Sequence, residues 1–202
     1  AGPEPIIGFR IVPEDDDPDG LRLEDSIPVC KTLAERDLTD YISVTVGSTH
    51  TLAGTISIVP SMFADAAKAQ VLGREVRQNA GVPVFVTGRI NQPQMAEDAL
   101  ENGAGDMIGM VRALLTDPQL PNKAMSGRAD DIRACIGCNQ ACIGHRNRGH
   151  GVSCIQFPES GRELTYGIRK PPASRRRVVV VGGGPAGMKA AAVLAERGHA
   201  EA

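Results

Sequence analysis

The chain has 202 residues, 42% of them hydrophobic, 23% charged and 3% aromatic, with a formal net charge of -2. That balance is ordinary for a soluble globular protein of one large domain or two small ones. It gives no reason to expect nucleic acid or an acidic membrane as a partner, and no apolar run approaches the roughly 20 residues that span a bilayer. No secretory signal is apparent, so a cytoplasmic setting is expected. The chain starts on Ala1 and stops in GHAEA, and the expectation is a piece of a longer protein.

Short apolar runs alternate with helical stretches. Residues 6–11 (IIGFRI), 41–46 (YISVTV), 82–87 (VPVFVT) and 106–110 (DMIGM) read as strands. Helices are expected near 26–38, 62–80, 93–102 and 118–127. The third is punctuated by Pro93 at its start and Gly103 past its end, with Met95, Ala96, Ala99 and Leu100 on one face. Such alternation implies parallel strands joined by crossover helices, and four units amount to half of a (β/α)8 barrel. The segment 169–177 (RKPPASRRR) reads as an exposed linker, and 178–181 (VVVV) as a further strand.

Several residues sit where chemistry is done. Arg10, Arg89 and Arg112 each fall just after or at the end of a strand, the side on which barrel enzymes work and often hold phosphate. If the third and fourth strands are the last two of a barrel, Gly88 with Arg89, and Val111 with Arg112, converge on one phosphate. His50, after the second strand, is a candidate proton donor, against the plainer reading of a solvated loop histidine. Asp15, Asp17, Asp19 and Gly20 open a calcium-loop pattern, but Ser26 stands where the closing carboxylate belongs and Pro18 interrupts it. That stretch reads as a solvated acidic loop, and Lys31, Glu35 and Arg36 as a solvated helix face.

Cys135-x2-Cys138-x3-Cys142-x11-Cys154 gathers four of the five cysteines into one loop. Four thiolates there suit an iron–sulfur cluster. Structural zinc usually takes two Cys-x(2–4)-Cys pairs set well apart, and the second pair is missing. Disulfides are a further alternative, but Cys30 is isolated and nothing points to secretion. His145 and His150 lie in the loop and are read as solvated. Finally, Gly182-x-Gly184-x-x-Gly187 follows VVVV and opens an alanine-rich helix, the context a dinucleotide fingerprint needs. Its glycines allow the turn, the approach of a pyrophosphate and close helix packing. FAD and NAD are not distinguished, because the ribose-binding acid falls at or beyond the end of the chain.

DDIRACIGCNQAC, the later Cys154 and VVVVGGGPAG together resemble the multidomain iron–sulfur flavoproteins, such as the trimethylamine and histamine dehydrogenases and 2,4-dienoyl-CoA reductase. The resemblance implies an α/β chain: the C-terminal half of an FMN-binding TIM barrel (1–128), a [4Fe–4S] cysteine segment (129–168), a linker (169–176) and the start of a Rossmann-like FAD/NAD(P)-binding domain (177–202). By the same resemblance Arg10 lies near the pyrimidine edge of FMN, and Gly88, Arg89, Val111 and Arg112 cradle its phosphate. Cys135, Cys138, Cys142 and Cys154 hold the cluster, and Gly182, Gly184 and Gly187 take the pyrophosphate of FAD or ADP. His50 falls in the loop where the reductases keep a proton donor, offset by one residue. The whole protein is expected to pass electrons between a small-molecule substrate and NAD(P)H or an electron-transfer flavoprotein, with a homo-oligomer in view. The rival reading is a zinc-stabilised nucleotide-binding module without redox activity. A pure electron-transfer subunit is a third. On either redox reading this piece alone is not expected to be a competent enzyme.

Overall fold

The computed structural model describes residues 5–65, 68–167 and 170–201. It divides into two compact units, Ala1–Phe157 and Pro158–Ala202.

The first unit is built on four strands, β1 (Gly8–Ile11), β2 (Tyr41–Val44), β3 (Val84–Thr87) and β4 (Met107–Gly109). They pair in sequence order, and every pairing is parallel. This is the arrangement that a stretch of (β/α)8 barrel requires. The helices α1 (Leu23–Glu35) and α3 (Lys68–Ala80) pack on one another, and α3 packs on β2 and β3.

Strand alternation gives the sheet two different faces. Ile11, Ile42, Val44, Val84 and Val86 are buried on the helix side with Cys30, Ala69, Leu72, Val76 and Ala80. Each fully buried valine there contributes roughly 1.5–3 kcal/mol. The other face carries Gly8, Arg10, Tyr41, Ser43, Phe85, Thr87 and Gly109, which line an open cavity of about 270 Å³. On that face Arg10 Nε donates to Ser43 Oγ at 3.2 Å, and Tyr41 meets Phe85 edge-on at 5.0 Å.

The structure corrects several expected boundaries. Ile6 and Ile7 lie outside β1 and are exposed. The first helix begins three residues early, because Arg22 occupies the N-cap and its backbone N–H is held by Asp25, a signal carried by no usual cap residue. The helix expected over 62–80 is α3, from Lys68; residues 66 and 67 lie outside the described ones, and α2 (Leu52–Ile58) is a helix that was not expected. The one expected over 118–127 is α6 (Leu120–Met125), and it is preceded by a helix that was not expected, α5 (Val111–Thr116). Between α3 and α5 runs α4 (Pro93–Glu101), which keeps Pro93 in its first turn as expected.

In the second unit, β5 (Arg177–Val178) and β6 (Ala200–Glu201) are parallel and flank α8 (Pro185–Glu196). The expected strand over 178–181 is therefore limited to Val178, with Arg177 added.

At Gly73, α3 lies hard against Val86 of β3 and the Ala104 carbonyl. A Cβ there would stand 2.3 Å from Val86 Cγ2 and 2.4 Å from the Ala104 carbonyl oxygen. Helix propensity alone would make Gly73→Ala stabilising by about 1 kcal/mol. Overpacking is expected to win, with a net loss of about 1–3 kcal/mol in a urea titration. A gain in stability would show that the helix does not rest on β3 in this way.

Candidate functional site

The carboxyl ends of the strands lead into a cavity of about 210 Å³. Arg10, Gly88, Arg89, Val111 and Arg112 all line it, together with Thr87, Asn91, Gly109 and Cys135. The turn after β3 places Arg89 in the left-handed region (φ 47°), an uncommon conformation for a residue with a side chain. Its Nε is buried without a hydrogen-bond partner. A buried cationic donor left unpaired is costly, and an anionic oxygen would satisfy it. A phosphate therefore fits this wall of the cavity.

Arg112 sits in the first turn of α5, and its Nη1 donates to the Pro60 carbonyl at 2.8 Å and to Asn139 Oδ1 at 2.7 Å. Burial pulls its pKa down; Cys135 and Cys142 oppose that, and the like charge of Arg89 adds to it. An arginine remains charged regardless.

A second cavity adjoins the same guanidinium. Its walls include Cys135, Cys138, Cys142 and Cys154, with Arg112, Thr116 and Asn139. Cys135 and Arg112 thus belong to both cavities. All four cysteines are free thiols, as is the buried Cys30. Cys135 Sγ accepts from the Gly137 N–H at 3.4 Å, and Cys154 Sγ lies 3.5 Å from Thr116 Oγ1. The loop is tied back at several points. Asn91 donates to the Cys135 carbonyl, Gln156 Nε2 donates to the Ala134 carbonyl at 3.0 Å, and Asn139 Nδ2 donates to the Val59 carbonyl at 2.8 Å. A short helix, α7 (Ile143–Asn147), follows the third cysteine.

Among the described residues, no three His, Cys, Asp or Glu side chains are placed to hold a single metal ion. A tetrahedral zinc would draw its sulfurs to about 3.8 Å from one another. A cluster gives each thiolate its own iron and keeps the sulfurs further apart. Cys135, Cys138, Cys142 and Cys154 border one cavity, so four thiolates are available to a group bound there.

His50 stands elsewhere. It is exposed and lines a separate cleft with Asp15, Asp17, Asp19, Gly20 and Ser48. The structure therefore brings Arg10, Gly88, Arg89, Val111 and Arg112 together, and the four cysteines together, but leaves His50 outside both groups. Asn91 and Asn139 were not singled out from the sequence. Their partners lie 44 and 80 residues away, and no local pattern announces them.

In the second unit the three glycines form a tight entry to α8. Gly182 has φ 104°, Gly184 is the N-cap, and a Cβ on Gly187 would lie 1.9 Å from the Gly182 carbonyl oxygen. The space beside Gly184 is open.

The model of the NADH:flavin oxidoreductase / NADH oxidase family matches residues 1–131, and the chain belongs to that family. It is 38% identical over 167 residues to a metal reductase of Desulforamulus reducens, covering 82% of this chain and 24% of that protein. It is 36% identical over 202 residues to a probable N-methylproline demethylase of Rhizobium meliloti, covering 98% of this chain and 29% of the other. The solved structure of histamine dehydrogenase from Rhizobium sp. 4-9 matches with a TM-score of 0.83 at 26% identity, over 97% of this chain and 28% of that one. The chain thus spans less than a third of the length of each of these relatives. Among the described residues, no helix is long and apolar enough to cross a membrane.

The segment that leads into the cysteine loop hangs on one buried carboxylate. Asp117 accepts from Lys123 Nζ at 2.6 Å, from the Arg133 N–H at 2.9 Å and from the Gln119 N–H at 3.0 Å. Burial pushes its pKa up, but these donors outweigh it, and the carboxyl titrates below its ordinary value of 3.8. Its stabilising effect is therefore complete above about pH 4 and is lost as the pH falls through the lowered value. Asp117→Asn is expected to cost about 2 kcal/mol at neutral pH and to flatten the acid limb of the stability curve. An unchanged acid limb would remove Asp117 from this role.

Proposed function

We propose that this chain is the part of an oxidoreductase in which FMN and a [4Fe–4S] cluster meet. The observation that carries the reading is the shared wall: Cys135 and Arg112 line both the arginine cavity and the cysteine cavity. Arg89 and Arg112, with the turn at Gly88 and Val111, would hold the FMN phosphate, and Arg10 would face the flavin ring. Cys135, Cys138, Cys142 and Cys154 would ligate the cluster. When bound, FMN supplies hydride chemistry and the cluster supplies single-electron transfer; the protein holds them side by side and tunes them.

In the whole protein, electrons would pass between a small-molecule substrate and a second flavin or external acceptor. Gly182, Gly184 and Gly187 would take the pyrophosphate of FAD, ADP or NAD(P)H. The relatives include both a reductase and a demethylase, so the family accommodates either direction of flow. On the reductase branch His50 is the proposed proton donor, and to serve there its loop would have to carry it from the cleft of Asp15, Asp17 and Asp19 to the arginine cavity. The zinc-stabilised module leaves the arginine cavity on the other side of Cys135 and Arg112 without a role.

Anaerobic metal analysis with the visible spectrum tests the cluster. About four irons per chain and a brown absorbance that bleaches on reduction are expected. Stoichiometric zinc without iron would reverse the assignment. For the flavin, Arg89→Met in the full-length protein is expected to weaken FMN binding about 10- to 100-fold, the effect of losing a charge-assisted bond to phosphate. Undiminished affinity would place the phosphate elsewhere. Gly187→Ala is expected to abolish dinucleotide binding in the full-length protein while leaving iron and FMN contents unchanged.

A further inference from the structure

Asn139 lies between the second and third cysteines and lines their cavity, yet its side chain bonds Arg112 and the Val59 carbonyl, and both of those residues border the arginine cavity. Its Oδ1 accepts from Arg112 Nη1 at 2.7 Å, and its Nδ2 donates to the Val59 carbonyl at 2.8 Å. The same Nη1 donates to the Pro60 carbonyl at 2.8 Å. One residue of the cysteine loop thus fixes both the guanidinium and the backbone segment that the guanidinium leans on. Asn139 adopts φ 58°, a left-handed conformation that asparagine tolerates and most residues do not. The left-handed position and the two side-chain bonds specify one orientation of its amide.

We propose that Asn139 is a positioning residue that couples occupancy of the cysteine cavity to anion binding in the arginine cavity. This inference rests on the FMN and cluster assignment above. When the four thiolates are drawn onto an inorganic core, the loop between Cys138 and Cys142 is held in one conformation. Asn139 is then fixed, and Arg112 presents its free guanidinium nitrogens to the phosphate at no further ordering cost. With the core removed, the loop loses its four-point anchor, and phosphate binding must also order Asn139 and Arg112. Affinity falls accordingly. By linkage, bound FMN must favour cluster retention by the same factor.

The test is a thermodynamic cycle on the full-length holoprotein. FMN affinity is measured by flavin fluorescence with the iron in place and after its anaerobic chelation. The wild type and Asn139→Gly are compared. Glycine accepts the left-handed backbone and keeps the Gly144 N–H bond to the carbonyl of residue 139, so only the two amide bonds are lost. In the wild type, chelation is expected to weaken FMN binding about tenfold. In Asn139→Gly, affinity is expected to be reduced about tenfold already with iron present, and chelation should add nothing. A merely structural role would lower both affinities and leave the effect of chelation intact, which would overturn the proposal. So would unchanged affinity in Asn139→Gly, or tighter FMN binding after chelation. If Asn139→Gly fails to retain iron, Arg112→Lys runs the same cycle: the charge stays, the forked geometry goes, and the linkage is expected to vanish. A wild-type protein that binds no iron or no FMN would sink the cofactor assignment and this inference with it. Binding of both without linkage would sink this inference alone.

Discussion

A half-buried guanidinium stands in the wall between two cavities. Arg112 begins α5, is held by the Pro60 carbonyl and by Asn139, and borders both the arginine cavity and the cysteine cavity. Its charge cannot be shed, so a partly desolvated environment must supply negative groups around it. A phosphate on one side and thiolates on the other meet that requirement. The loops after β3 and β4 and the cysteine segment are all arranged around this single cation.

The parallel sheet makes the arrangement possible. Its helix-side face is a closed apolar core of valine, isoleucine and alanine. Its other face is polar and aromatic, with Arg10, Ser43, Tyr41 and Phe85. In a (β/α)8 barrel that second face looks inward, and the carboxyl ends of the strands carry the active site. The strands hold Arg10 and Thr87 rigidly, while the turns that follow β3 and β4 bring in Arg89 and Arg112. The cysteine segment is then docked by side chains that reach backbone carbonyls: Asn91 to Cys135, Asn139 to Val59, Gln156 to Ala134. Asp117 anchors its leading edge.

Much of this was legible in the sequence, for local reasons. Strands and the longer helices announce themselves by periodicity, and Pro93 and Gly103 bracket α4 as helix punctuation should. The cysteine spacing and the glycine fingerprint are compact, so a linear reading finds them. Arginines after strands are visible once the strands are. The remainder was hidden because its determinants are short or distant. The helices α2, α5 and α7 have five to seven residues, too few for a periodic signal. Asn91 and Asn139 act on carbonyls far along the chain, and an asparagine carries no mark of such a role. The left-handed turn at Arg89, which leaves its Nε buried and unpaired, depends on the tertiary setting. His50 was singled out by its place after a strand, yet its loop carries it into the acidic cleft of Asp15, Asp17 and Asp19.

In the proposed function, a flavin phosphate and an iron–sulfur core lie on opposite sides of one wall made by Cys135 and Arg112. Anomalous diffraction at the iron edge, from crystals of the full-length protein grown with FMN, tests it most directly. Several iron peaks are expected inside the ring of Cys135, Cys138, Cys142 and Cys154, with phosphate density against Arg89 and Arg112 across the wall. A single zinc peak among the cysteines, or phosphate density remote from both arginines, would contradict it.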